Sequence, residues 1–264
     1  MLTVSTTDSG MGNRIKSLLS VMRLTDNPKV IWPINRFGNN SFNDLFENDI
    51  EVNTIPNGAT EHFSPYLLLL DDDGIEEGFA TEFLDIKSGK NKAINNGKSI
   101  DFQYNRIPQN VIDSIVPIVK SLTPIKYIRN TVDTYAAENF DENTVSIQIR
   151  TWKDDARRAP MFKKENYFKL MDQMPDKNFF VTADDQGIIN EFADRYPGRV
   201  NYFQKRILNY EPGGSDCSKK EFGQDNLIDM LLLAKNIEII GSHLSSFVEC
   251  AWWFGGGRAK VTIL

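Results

Sequence analysis

The first 32 residues of this chain impose one arrangement. Leu2–Thr6 has β-branched residues at positions 3, 4 and 6, with Thr7 following, and reads as a short buried strand. The segment Asp8-Ser9-Gly10-Met11-Gly12-Asn13 is a polar glycine turn, and Arg14–Leu24 then places apolar residues at 15, 18, 19 and 22. That is helix spacing. Lys29–Trp32 is a second strand, closed by Pro33. Strand, glycine turn, helix and strand in this span make a β-α-β unit, and such units imply a parallel sheet.

The same alternation returns in the second half. Thr144–Arg150 (TVSIQIR) alternates and is β-branched, and Asn178–Thr182 is another strand, followed by a helix-like Gln186–Tyr196. Val200–Phe203 is a candidate strand and Asn209–Gln224 a glycine- and charge-rich loop. Leu227–Lys235 is a helix rich in Leu and Met, Ile237–Gly241 a strand, Ser245–Phe254 a helix, and Lys260–Leu264 closes the sheet. Helical stretches are expected over Gln109–Lys120, interrupted by Pro117, and over Thr131–Asn139. The intervening region from about Asn39 is irregular, with Lys/Asn-rich turns at 87–98. These patterns divide the chain into two β/α domains, 1–138 and 139–264, with the boundary between 135 and 142.

Composition excludes several classes. With 30 Lys+Arg against 36 Asp+Glu, the 264-residue chain has a formal net charge of −6, so it is not a broadly basic nucleic-acid binder. A small anionic ligand held by a few arginines remains compatible with that sum. Cys217 and Cys250 are too few for a disulfide framework, and His62 and His243 for a His-rich metal site. Asp71-Asp72-Asp73 reads as a solvated turn, because EF-hand spacing is absent. The amino terminus lacks a basic region followed by an apolar core, and apolar runs such as Tyr66–Leu70 fall far short of the roughly 20 residues of a membrane span. A cytoplasmic protein without a membrane span is expected.

Four turns follow strands where α/β proteins bind ligands. Gly10-x-Gly12-Asn13 opens a helix, whose N–H groups and dipole favour an anion. Ile15 breaks the dinucleotide fingerprint and no Gly-Lys-Ser/Thr follows, so a tight turn capped by Asn13 is the alternative. Arg150 ends a strand, and its fork of donors suits a phosphate. Lys153, Arg157 and Arg158 add local positive charge or form a solvated loop. Asp184 and Asp185 follow the next strand and either accept from a base or ribose or cap the following helix. Gly241-Ser242-His243-Leu244-Ser245-Ser246-Phe247 offers hydroxyls at a helix start, for a phosphate or as an N-cap.

In this order, GMGNR (10–14), IQIRTWKDD (147–155), VTADD (181–185) and IIGSHLSSF (239–247) resemble the GDP-fucose-dependent fucosyltransferase superfamily. That superfamily includes the α1,6-, nodulation-type and protein O-fucosyltransferases. The resemblance implies a compact GT-B-like α/β fold: two facing Rossmann-like domains with parallel sheets, 1–138 on the acceptor side and 139–264 on the donor side. It implies that Arg150 contacts the donor β-phosphate and that Asn13 approaches it from the N-terminal domain, beside Gly10 and Gly12. Asp184 looks like the carboxylate near guanine or ribose, and Ser245, Ser246 and Phe247 like the donor pocket. Asp154 falls four residues after Arg150, where the protein O-fucosyltransferase pattern has an aspartate. Asp8 is the carboxylate nearest the glycine turn and the candidate general base.

The implied reaction is a metal-independent, inverting transfer of fucose, or a related sugar, from a GDP-sugar to a glycan or other hydroxyl acceptor. No cofactor beyond the donor is expected. Gln148 replaces the histidine frequent two residues before the arginine, and Thr151 replaces a second arginine of the α1,6 group. The alternatives are another nucleotide sugar, or a non-catalytic nucleotide- or glycan-binding module on the same fold.

Overall fold

The computed structural model describes residues 3–5, 10–23, 29–32, 40–53, 83–85, 90–93, 107–153, 155–206, 219–243 and 245–264. Asp8, Asp154, Cys217, His62, Tyr66–Leu70 and Asp71–Asp73 lie outside the described residues. The expected β-α-β unit is present as β1 (Thr3–Ser5), α1 (Met11–Met22) and β2 (Lys29–Ile31). A third strand, β3 (Glu51–Asn53), pairs with β2, and all three strands run parallel in the order β1-β2-β3. An antiparallel pair, β4 (Phe83–Asp85) and β5 (Lys90–Ala93), follows.

Two helices, α2 (Gln109–Ser121) and α3 (Lys126–Asn139), precede the second sheet. Pro117 does not interrupt α2 as its sequence suggests. A mid-helix proline costs roughly 3 kcal/mol. Against that, Val111, Ile115 and Val119 are buried on one face, each contributing about 1.5–3 kcal/mol. Packing wins.

The remaining elements are β6 (Thr144–Ile149), α4 (Lys164–Asp172), β7 (Asn178–Ala183), α5 (Gln186–Arg195), β8 (Val200–Asn201), α6 (Lys220–Leu233), β9 (Glu238–Gly241), α7 (Ser246–Phe254) and β10 (Lys260–Ile263). The strands form one parallel sheet in the order β10-β9-β6-β7-β8. Strand β6 is central and buried at every position, as a strand covered on both faces must be. Its odd residues, Val145, Ile147 and Ile149, pack with Phe179 and Val181 against Tyr167, Met171, Ile189 and Phe192 of α4 and α5. The other face carries Ser146, whose hydroxyl donates to Leu233 O at 3.1 Å and accepts from Asn236 Nδ2 at 2.9 Å.

That second face belongs to the larger core. One cluster runs from Ile15, Leu18 and Leu19 of α1 through Trp32, Phe42 and Phe46 to Leu227–Leu233 and Trp252–Trp253. It therefore draws on residues either side of 139. Helix α6 begins at Lys220, earlier than its apolar run suggests, because Gly223, Gln224 and Asp225 are themselves buried. Asn40 lies against Gly223, where a Cβ would meet its amide at 1.6 Å, and Gln224 Nε2 donates to Asp44 O at 3.0 Å. No local periodicity announces such a contact. Among the described residues, no helix is long and apolar enough to cross a membrane.

Helices α1 and α7 meet closely. A Cβ on Gly12 would lie 2.8 Å from Ser246 O, and Cys250 Sγ donates to Gly12 O at 3.3 Å. One turn further in, Lys16 and Glu249 form an ion pair with side chains only 3% exposed. Gly12 is thus required by close helix approach, whereas Gly10 has nothing within 4 Å of a Cβ. Gly12→Ala is expected to cost about 1–3 kcal/mol by overpacking, and Gly10→Ala to stay within about 0.5 kcal/mol of the parent; urea denaturation measures both. Lys16→Met strands a buried carboxylate and should cost about 3–5 kcal/mol, with part of the loss recovered when Glu249→Leu is added.

Candidate active site

A doubly wound sheet binds ligands where its strand order reverses, in the crevice beyond the carboxyl ends of the two diverging strands. Here those strands are β6 and β9: the chain runs from β6 outward to β7 and β8, then crosses to β9 and β10. Arg150 follows β6 and Ser242 follows β9. The Arg150 backbone N–H donates to Ser242 Oγ at 2.7 Å, joining the two lips of the crevice. Ser242 Oγ also shares a 2.7 Å hydrogen bond with Tyr167 Oη. Burial pushes the Tyr167 phenol up to about 12, opposed by the bond to Ser242 and reinforced by the charge of Asp184.

Asp184, at the end of β7, holds the arginine. Its Oδ2 accepts from Arg150 Nη1 at 2.6 Å and its Oδ1 from the Thr151 backbone N–H at 2.9 Å. The Arg150 side chain is 30% exposed, so part of its donor fork is open to solvent. Asp185 takes the other role open to this pair. It caps α5 by accepting from Gly187 N at 2.7 Å, and pairs with Lys153 at 3.1 Å.

The turn from β9 into α7 brings the N-terminal helix to the same place. Ser245 is the N-cap of α7, its Oγ accepting from Val248 N at 3.4 Å. Ser246 lies on Gly12, which sets the amino ends of α1 and α7 side by side. Each leaves backbone N–H groups without intrahelical partners, the arrangement that suits an anion. Asn13 is partly exposed there, its carbonyl accepting from Ser17 Oγ at 3.1 Å. Phe247 packs against the large core. Of the expected site residues, Arg150 and Asp184 are thus bonded to each other, and Gly12 and Ser246 are in contact. Residues 242–246 link the two sets.

Sequence patterns missed two members of this neighbourhood, while Ser242 lies within the hydroxyl-bearing turn 241–247. Tyr167 carries no motif signal. Asp229 does, as the lone carboxylate within Leu227–Leu233. Its side chain is 1% exposed, and Oδ2 accepts from Lys205 Nζ at 2.7 Å and from Thr182 Oγ1. Burial raises its pKa, and Lys205 and Thr182 oppose the rise. Oδ1 of Asp229 accepts no protein hydrogen bond, and neither does the buried Oε1 of Gln148. Gln148 and Thr182 are in register on β6 and β7, so their side chains leave the same face of the sheet.

Among the described residues, no group of three or more His, Cys, Asp or Glu side chains is placed to hold a metal ion. A cavity of about 250 Å³ lies between α2 and the turn leading into β10, lined by Ile112, Val116, Pro117, Gly256 and Gly257. It sits toward the amino end of β10, away from the carboxyl ends of β6 and β9 that form the crevice.

No protein-family model matches this sequence, and no curated protein matches it by sequence. Solved structures do match its fold. The α1,6-fucosyltransferase NodZ, in a crystal soaked with GDP-fucose, superposes with a TM-score of 0.57 at 16% identity, covering 96% of this chain and 92% of that one. The fucosyltransferase NodZ from Bradyrhizobium gives a TM-score of 0.55 at 15% identity over 95% and 91% of the two chains. Apo POFUT1 gives 0.52 at 11% identity over 100% and 97%. The chain is a parallel α/β protein. It shares the fold of these fucosyltransferases along nearly its whole length.

Tyr167 retains its proton to about 12 where a free tyrosine ionises near 10. A raised pKa contributes stability that is complete below the unfolded value and is lost as pH climbs through the folded one. Stability should therefore fall between pH 10 and 12, and Tyr167→Phe should make that fall shallower. Denaturation midpoints across that range measure the difference.

Proposed function

We propose that the protein is a glycosyltransferase that moves fucose from GDP-fucose to a hydroxyl group of a glycan or similar acceptor. One observation carries the reading: an arginine, oriented by Asp184, stands at the switch point of a parallel sheet in a fold shared with NodZ. When the sugar–phosphate bond breaks, both electrons go to the departing diphosphate oxygen. Arg150 and the N–H groups at the amino ends of α1 and α7 would hold that charge without a metal. Such preoriented donors need no rearrangement as the charge develops.

The acceptor hydroxyl would attack the anomeric carbon from the face opposite the diphosphate, inverting the centre. Its proton would pass to a base on the N-terminal side of the cleft, for which Asp8 is our candidate. Asn13 and Ser245–Phe247 would line the donor site, Gly10 would keep the approach clear, and Gly12 would let the amino ends of α1 and α7 meet there. Asp154, four residues after Arg150 in sequence, is a further donor-binding candidate. Asp184 acts in this scheme by orienting Arg150.

GDP should raise the melting temperature more than equal concentrations of UDP or ADP, and GDP should be released from GDP-fucose in the presence of a glycan acceptor. Absence of any stabilisation by GDP would overturn the reading. Tight GDP binding with no turnover across an acceptor panel would reduce it to a binding module. Arg150→Ala should weaken GDP binding by about 1.5–3 kcal/mol, roughly one to two decades, while Thr151 N–H still holds Asp184. Unchanged affinity in that variant would remove Arg150 from the donor site.

A further inference from the structure

Trp152, three residues past β6, has φ of 55°, in the left-handed region that bulky side chains avoid. Such strain persists only where the surroundings enforce it, and it gathers at functional sites. The enforcing bonds lie on either side. Thr151 N–H is fixed on Asp184, and Trp152 O accepts from Asp155 N at 2.8 Å. The consequence is an indole that carries two guanidinium groups, Arg150 at 4.9 Å and Arg158 at 4.8 Å from the ring centroid. Both are within cation–π range.

The two cations are not held alike. Arg150 has a short ion pair with Asp184, whereas Arg158 reaches Asp155 only at 3.6 Å and is 45% exposed. Its neighbour Arg157 is 89% exposed and reaches Asp155 only at 3.7 Å. Gathering two like charges on one strained residue is unfavourable in itself. An anion with several negative oxygens, approached by two planar donor forks, would offset that cost. Asp184 is matched to Arg150, whereas Asp155 is shared between Arg157 and Arg158 at 3.7 and 3.6 Å, so Arg158 is the more loosely neutralised cation.

We propose that Arg150, Trp152 and Arg158 form a clamp for a diphosphate. Arg158 is the second cation on the donor's leaving group, and Trp152 is the positioning residue that carries it to Arg150. The assignment rests on the donor reading above and specifies how the diphosphate is gripped.

Calorimetric titration with inorganic pyrophosphate, GDP and guanosine tests it in the full chain and four variants. Arg158→Ala should weaken pyrophosphate and GDP about tenfold and leave guanosine unchanged. Arg157→Ala should alter none of the three. Trp152→Phe should retain most of the affinity, because the aromatic face remains, and Trp152→Gly should lose as much as Arg158→Ala. Trp152→Gly should nonetheless melt no lower than the parent, since glycine accepts the left-handed backbone. Wild-type pyrophosphate affinity in Arg158→Ala, or an equal loss in Arg157→Ala, would overturn the clamp while leaving the donor reading intact. A parent protein binding neither pyrophosphate nor GDP would overturn both.

Discussion

The contact between α1 and α7 governs the rest of the molecule. Helix α1 belongs to the three-stranded sheet and α7 to the five-stranded one, and they meet through Gly12 on Ser246 and the buried Lys16–Glu249 pair. A buried ion pair is a weak source of net stability, since desolvation offsets much of its attraction. Its effect is geometric. Neither charge can be left alone in an apolar interior, so the two helices have one register. That register sets their amino ends beside each other, at the crevice where β6 and β9 diverge.

Electrostatics within the crevice follow from small divisions of labour among acids. Asp184 spends both oxygens on Arg150 and the Thr151 N–H, and Asp185 caps a helix and meets Lys153. The chain is acidic overall, yet its acids here aim cations and backbone donors toward one place. The acidic sum excluded a broadly basic surface and was silent about this local one. Ser242 ties the backbone of Arg150 to the end of β9, so the arginine is oriented by its main chain as well as its side chain.

Much of the architecture was legible. Period-two and period-3.6 patterns identified the β-α-β unit and the strands of the second sheet, the strands to within a residue or two, because those segments bury faces that repeat regularly. Helix α1 begins three residues and α3 five residues earlier than expected. Helix α4 was missed, although Tyr167 and Met171 are buried at helical spacing, and α6 was placed too late. Its first turns bury Gly223, Gln224 and Asp225, and polar residues buried by a distant segment leave no hydrophobic signature.

By itself the sequence determined the α/β class, the parallel pairing, the strand ends on which Arg150 and Asp184 stand and the helix start capped by Ser245, because these depend on local periodicity and turn chemistry. Tertiary structure decided the partnerships: Asp184 with Arg150, Ser242 with Tyr167, Gly12 with Ser246, and two arginines on a left-handed Trp152. Each joins elements brought together only when the sheet closes and the helices dock. A side chain's role there depends on which charge or backbone group lies within about 3 Å, a distance that no one-dimensional pattern encodes.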